Sequence, residues 1–181
     1  MSLKDLTKEK HAAAEETKFM KAVFDKTMPM ELWVDYTYQK YIWYREIELA
    51  AAAYGLLDNL PGIGRAQLIM DDYREMIKNT PLVYKIVKDV SKDYATYIRT
   101  LNDPNKIMAH LYTWHMGDMF GGQMIKKIVD APHTHLEFVN AKELMTTVRS
   151  MLTDDMADEA NIAFDWAIRI LGEYDSSLEQ N

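Results

Sequence analysis

Gly117-Asp118-Met119-Phe120-Gly121-Gly122-Gln123 lies inside an otherwise helical run. Three glycines within six residues are costly in a helix, at roughly 1 kcal/mol each relative to Ala. A helix that accepts this loss needs a bend, or a flat object lying against bare backbone. Gly117 and Gly121 are four apart and share one helix face. Two readings of the stretch stand side by side. In one, the glycines let two helices pack closely and Asp118 faces solvent. In the other, a bent helix lies over a flat cofactor and Asp118 holds water. A phosphate-binding loop is disfavoured, because the pattern is not Gly-x-x-x-x-Gly-Lys-Ser/Thr and no strand precedes it.

The surrounding composition points to an all-α protein. The chain has 181 residues, enough for one domain with its own core. Gly and Pro are scarce, 11 Tyr and 13 Met are present, and β-branched runs are few. The formal net charge is −7, which argues against a nucleic-acid partner, since that would require a basic face. Cysteine is absent, which excludes disulfides, thiolate haem ligation, cysteine-held iron–sulfur clusters and cysteine nucleophiles. The N-terminus is charged without an apolar signal core, and no apolar run approaches ~18 residues. The expectation is a soluble cytoplasmic protein with no membrane partner.

Helix boundaries follow from caps and breakers. Ser2 and Asp5 form a capping-box pattern that opens a helix to about Lys26, with Leu6, Ala13 and Met20 on one face. A second helix is expected from Met30 to Leu57, and Leu60-Pro61-Gly62-Ile63-Gly64 reads as a loop. A third covers about Arg65 to Lys78. Asn79-Thr80-Pro81 caps a fourth that reaches Leu101. Asn102-Asp103-Pro104 opens a fifth, running through the glycines to about Val129. Further helices are expected over about Glu137–Leu152 and from Asp154 or Asp155 to Gly172. Residues 1–181 thus read as a single helical domain.

Five histidines are candidate ligands. His133 and His135 flank Thr134 in a Pro-containing loop, where a solvated loop is favoured over a zinc pair. No Glu-x-x-His occurs, which argues against a ferritin-like di-iron bundle. His11 has small neighbours on its helix face at Thr7 and Ala14, and Glu15 one turn on can orient its ring. Lys8 and Lys4 lie one and two turns N-terminal to it and can meet anionic groups. The plainer reading of His11 is a surface histidine beside a glutamate.

Two segments together resemble the haem oxygenase family. Thr7-Lys8-Glu9-Lys10-His11-Ala12-Ala13-Ala14-Glu15, with Phe19-Met20, is similar to that family's proximal helix. Ala109 to Gln123, with Lys126-Lys127-Ile128, is similar to its distal helix. Weaker similarity covers Asn79-Thr80-Pro81, Val148-Arg149-Ser150, Glu159-Ala160 and Ala163-Phe164. The resemblance implies an all-α bundle with haem between a proximal and a kinked distal helix. It implies His11 as the iron ligand, oriented by Glu15. Gly117, Gly121 and Gly122 would form the distal backbone, and Asp118 would anchor water. Lys4, Lys8, Tyr112 and Arg149 fall where the family has residues near the propionates, and Phe164 where it has a pocket aromatic.

The activity so implied is cleavage of haem, both cofactor and substrate, to biliverdin, Fe2+ and CO. It uses O₂ and electrons from an external reductant. Ferredoxin is the expected donor, docking on a basic patch that includes Lys126 and Lys127, and a bilin reductase is a possible downstream partner. The chain departs from the family pattern at Phe120, where Ser is common, at Trp114-His115 for an Arg-Tyr pair, and at Met145 for a Lys. Those departures leave a non-catalytic haem carrier or sensor as the alternative. A helical interaction module without haem is a further one, since Met- and Tyr-rich stripes are usually core.

Overall fold

The computed structural model describes residues 2–78 and 86–179. Among the described residues there are ten α-helices, 3-10 turns at Thr134–Leu136 and Asp154–Met156, and no strand. The all-α expectation holds.

Helix α1 (Leu3–Glu15) starts at the expected capping box. The Asp5 amide donates to Ser2 Oγ at 3.3 Å, and the Ser2 amide to Asp5 Oδ2 at 3.0 Å. It does not run to Lys26. Thr17 breaks it and caps α2 (Lys18–Phe24) by accepting from the Met20 amide at 3.3 Å. The break resets the helical phase for α2, so Leu6, Ala13 and Met20 do not form one buried face: Ala13 is exposed while Leu3, Thr7, Phe19 and Val23 are buried.

Helix α3 (Met30–Ala53) is the axle of the bundle. It ends short of Leu57 in a turn where Gly55 has φ of 69°, a conformation that favours glycine. Helix α4 (Ala66–Ile77) matches its expected span within one residue at each end. The Asn79-Thr80-Pro81 cap lies outside the described residues. Helix α5 (Asp89–Thr100) starts after non-helical residues 86–88. Gln39 of α3 holds that entry, donating to the Ile86 carbonyl at 2.7 Å and accepting from the Lys88 amide at 2.9 Å.

Helix α6 (Pro104–Phe120) is capped by Asp103 with Pro in its first turn, as the sequence suggests. Gly121 interrupts it, and α7 (Gly122–Ile128) follows. Gly121 keeps right-handed helical angles, φ −66° and ψ −34°, so α6 and α7 follow one helical course through the interruption. Helix α8 (Ala141–Met151) starts four residues later than expected. Helix α9 (Ala157–Gly172) ends where expected, and a short α10 (Asp175–Leu178) follows.

Two apolar clusters meet along α3. One gathers Trp43, Tyr44 and Ile47 with Ile69, Tyr94, Ile98, Ile107 and Leu111. The other gathers Trp33 and Val34 with Phe19, Val23, Tyr73 and Tyr174. Burying each such side chain contributes about 1.5–3 kcal/mol, and α3 supplies both clusters. Helix α9 packs on α1, α2, α5 and α6, and so bridges the N-terminal helices to α6.

Candidate functional site

The candidate site is assembled from α1 and the α6–α7 pair, with α9 packed on both α1 and α6. Tyr112 of α6 comes within hydrogen-bonding reach of Thr7 of α1, and α2 packs on α7. Both α1 and the α6–α7 pair leave residues exposed. On α1 it is His11, whose side chain is 57 % exposed. On the α6–α7 pair it is Gly117, Phe120, Gly121 and Met124, spaced at i, i+3, i+4 and i+7 and so on one face. A Cβ added at Gly117 would meet nothing within 4 Å. Two large apolar groups at water on that face, Phe120 and Met124, are the kind of surface that marks a binding site.

His11 is built for orientation. Glu15 Oε1 lies 3.5 Å from its Nε2. Phe164 of α9 meets its ring edge-on, with centroids 5.6 Å apart. Nε2 is the nitrogen that faces the carboxylate. Lys4 and Lys8 are exposed on the same helix. Burial raises the Tyr112 phenol, and Thr7 and then Arg149, exposed in the last turn of α8, offset this only in part.

The three glycines divide by role. Gly117 and Gly121 belong to the open face. Gly122 is buried, and a Cβ there would fall 2.9 Å from Leu136 Cδ2. Its place is against the protein interior, and helix packing accounts for it.

Asp118 does not face solvent, and that part of the packing reading is corrected. It is 8 % exposed and points inward at α3. Lys40 Nζ donates to Oδ1 and the Tyr44 hydroxyl to Oδ2, both at 2.6 Å. Tyr44 also reaches the Trp114 carbonyl at 3.0 Å. Burial pushes the Asp118 carboxyl up, but the Lys40 charge, a His135 charge and the two hydrogen bonds outweigh it and hold it below its usual range. His135 is itself lowered, by burial first and then by Lys40, so near neutral pH it is uncharged and Lys40 remains the effective partner. Lys40 and Tyr44 were not singled out from the sequence.

Three of the other four histidines, His110, His115 and His135, are buried in pairs with carboxylates. His135 is 2 % exposed, and its Nδ1 lies 2.6 Å from Asp72 Oδ2; the solvated-loop expectation is corrected. His133 bonds the Val129 carbonyl at 2.6 Å. His110 lies between Tyr94 at 2.7 Å and Glu159 at 2.9 Å. His115 Nε2 lies 2.9 Å from Glu48 Oε1. Among the described residues no group of three His, Cys, Asp or Glu is placed to hold a metal ion. Two cavities, of about 300 and 480 Å³, lie under α2 and α10 and beside Met119 and Phe138. Neither is lined by His11, Gly117 or Gly121, so the candidate site rests on chemistry, not on enclosed volume.

The family model described as Heme oxygenase matches residues 1–147. The chain belongs to the haem oxygenase family.

Among curated relatives, Heme oxygenase 2 of Rattus norvegicus is 25 % identical over 97 % of this chain, and that of Mus musculus 27 %. The chain covers 65 % of the length of those relatives. Heme oxygenase-1 of the cyanobacterium Synechocystis sp. PCC6803, solved in complex with heme, aligns with a TM-score of 0.85 and 22 % identity. That alignment covers 98 % of this chain and 92 % of the other. Heme oxygenase from Leptospira interrogans aligns with a TM-score of 0.81 and 20 % identity, over 96 % of this chain and all of the other. The haem oxygenase fold therefore spans the chain.

The departures from the family pattern have definite places. Phe120 stands on the open glycine face, 51 % exposed. Trp114 is buried, its Nε1 donating to the Tyr94 hydroxyl at 2.8 Å, and His115 is buried on Glu48. Met145 is half-buried against the main cluster. Two of the three changed sites thus lie in packing or buried bonds, and Phe120 lies on the candidate site. Lys126 is drawn toward Glu137 at 3.4 Å, and Lys127 is exposed. Among the described residues no helix is long and apolar enough to cross a membrane.

Proposed function

We propose that this chain binds haem at this site and cleaves it to biliverdin, Fe2+ and CO, using O₂ and electrons from an external donor such as ferredoxin. The observations that carry the reading are an exposed His11 with Glu15 one turn away on α1 and an exposed face with Gly117 and Gly121 on the α6–α7 pair. Bound haem would supply the iron that activates O₂ and the ring that is opened. His11 would hold the iron through a ring nitrogen, while Glu15 and Phe164 fix the ring plane. Gly117 and Gly121 would let backbone approach the flat ligand more closely than any Cβ permits. Phe120 and Met124 would cover its apolar surface and exclude water. Arg149, Tyr112, Lys4 and Lys8 would meet its carboxylates.

Asp118 would act behind that face. A carboxylate offers about four acceptor positions, and Lys40 and Tyr44 take two. The others can accept from water, so the anion orders water and relays protons without presenting an acid itself. Electron donors would dock on a basic patch including Lys126 and Lys127.

The test is hemin titration of the purified protein, followed by ferredoxin, its reductase and NADPH, with visible spectra over time. The expected outcome is a histidine-ligated Soret band that decays as a biliverdin band grows. His11→Ala should abolish or cripple both. Reversing Lys126 and Lys127 to Glu should slow ferredoxin-driven turnover. A stable Soret band that never decays would support the carrier reading, which Phe120 on the open face favours. No spectral change on adding hemin would remove haem from the account.

A further inference from the structure

Lys40 is a buried lysine that the proposed activity does not call on. Lysine is almost never fully buried unless paired, and here its partner is Asp118. The bond is short, 2.6 Å, and both side chains are nearly excluded from water, at 6 % and 11 % exposure. Tyr44, one turn along α3 from Lys40, takes the second oxygen at the same distance. The Lys40 ammonium also sits 5.1 Å over the Tyr44 ring. Asp118 is thus gripped at both oxygens by one face of one helix.

A buried ion pair is a poor way to stabilise a core, because similar apolar residues often do as well or better. The placement suggests another purpose. Asp118 follows Gly117 directly and precedes Gly121 by three residues, so the grip acts on the backbone of the open face from behind. Other groups around the carboxylate are Tyr36 on α3, Arg65 before α4, and His135 in the 3-10 turn. Tyr36 and Tyr44 are held neutral by burial, and His135 is uncharged near neutral pH. Arg65 spends its donors on the Gly64 and Glu137 carbonyls at 2.8 and 2.7 Å. Lys40 is the cation that bonds Asp118 directly.

We infer that Lys40 is a positioning residue for Asp118, fixing its carboxylate as an oriented anion behind the glycine face. Its use in turnover rests on the haem reading; the grip itself does not. Losing Lys40 leaves Asp118 desolvated without its counter-charge, so the carboxyl takes up a proton more readily. A protonated Asp118 can no longer order water as an acceptor.

Two measurements test this on the full chain. The first is the ¹³C carboxyl titration of Asp118 without haem, in the native protein, Lys40→Met and Lys40→Arg. Asp118 should stay ionised below the usual carboxylate range in the native protein and in Lys40→Arg. In Lys40→Met its proton affinity should rise about tenfold or more, one pH unit or more in midpoint. The second is hemin affinity and ferredoxin-driven haem loss against pH. Lys40→Met should bind hemin with near-native affinity, turn over at least about tenfold more slowly at neutral pH, and recover as pH rises. Lys40→Arg should keep the native profile. An ordinary Asp118 titration in the native protein overturns the inference even if Lys40→Met fails to fold. So does an unmoved titration, or an unmoved pH profile, in folded Lys40→Met. If the native protein binds no hemin, the haem reading fails, and the catalytic use of the grip with it. The titration then still decides whether the grip exists.

Discussion

Gly117 and Gly122 stand five residues apart in one motif, yet their surroundings give them opposite expected responses to a methyl group. At Gly117 a Cβ meets open space, so Gly117→Ala should recover helix propensity. The expected gain is about 1 kcal/mol, or roughly 2–4 °C in melting temperature. If the site holds haem, the same methyl should weaken hemin binding. At Gly122 a Cβ meets Leu136 at 2.9 Å, and Leu136 is buried. Gly122→Ala should cost about 1–3 kcal/mol through overpacking. Thermal melts of the haem-free variants check both signs. A stability loss at Gly117 would mean its face is packed, not open. The glycines themselves could be read from sequence, but their division into an open pair and a packed one could not. Which side of a helix meets Leu136 depends on a turn more than a dozen residues further on.

At the scale of elements, α3 holds the bundle's buried polar contacts in place. Its Glu48 accepts from the Arg65 amide at 2.5 Å and the Ala66 amide at 3.2 Å, and so caps α4 from another helix. The same carboxylate meets His115 of α6. Burial pushes Glu48 up, but the His115 bond and the two amides outweigh it and hold it low. Glu48→Ala should therefore cost about 3 kcal/mol, since it strands buried donors on two elements. Glu48→Gln, which keeps an acceptor for the amides, should cost less. Urea unfolding midpoints measure the difference, and equal losses would show that shape, not the acceptor, matters. Helix ends were legible where a local cap sets them, as at Ser2 and Asp103. They were misjudged where a distant side chain or an unread break sets them. Thr17 splitting α1 from α2 is one example, and Gln39 holding the entry to α5 is another.

Across the whole molecule, titration of buried pairs should shape stability. Burial holds His110 and His135 below the usual histidine range despite their carboxylate partners. Unfolding returns them to about 6.5, so below that pH the unfolded chain binds more protons and stability falls. Each can add a slope of up to about 1.4 kcal/mol per pH unit. Asp72, Asp118 and Glu159 are also lowered, their hydrogen bonds or nearby charges outweighing burial. Their contribution is present above their unfolded values near 4 and is lost as pH falls through the lower folded values. The urea midpoint of the haem-free protein should hold near neutrality, decline from about pH 6.5, and collapse in the carboxylate range. A midpoint unchanged down to about pH 5 would mean these histidines are not held neutral.

The sequence by itself determined the all-α class, the helical course through the glycine motif and the pairing of His11 with Glu15. Each follows from spacing along one helix or from the composition of the whole chain. Only the tertiary structure decided what lies behind the glycine motif. Asp118 turns inward, and its partners Lys40 and Tyr44 are more than seventy residues away. Three histidines with no evident role in the sequence are buried on carboxylates of other segments. No local rule foretells such pairs, because a buried charge is stable only where folding brings its counter-charge within bonding distance.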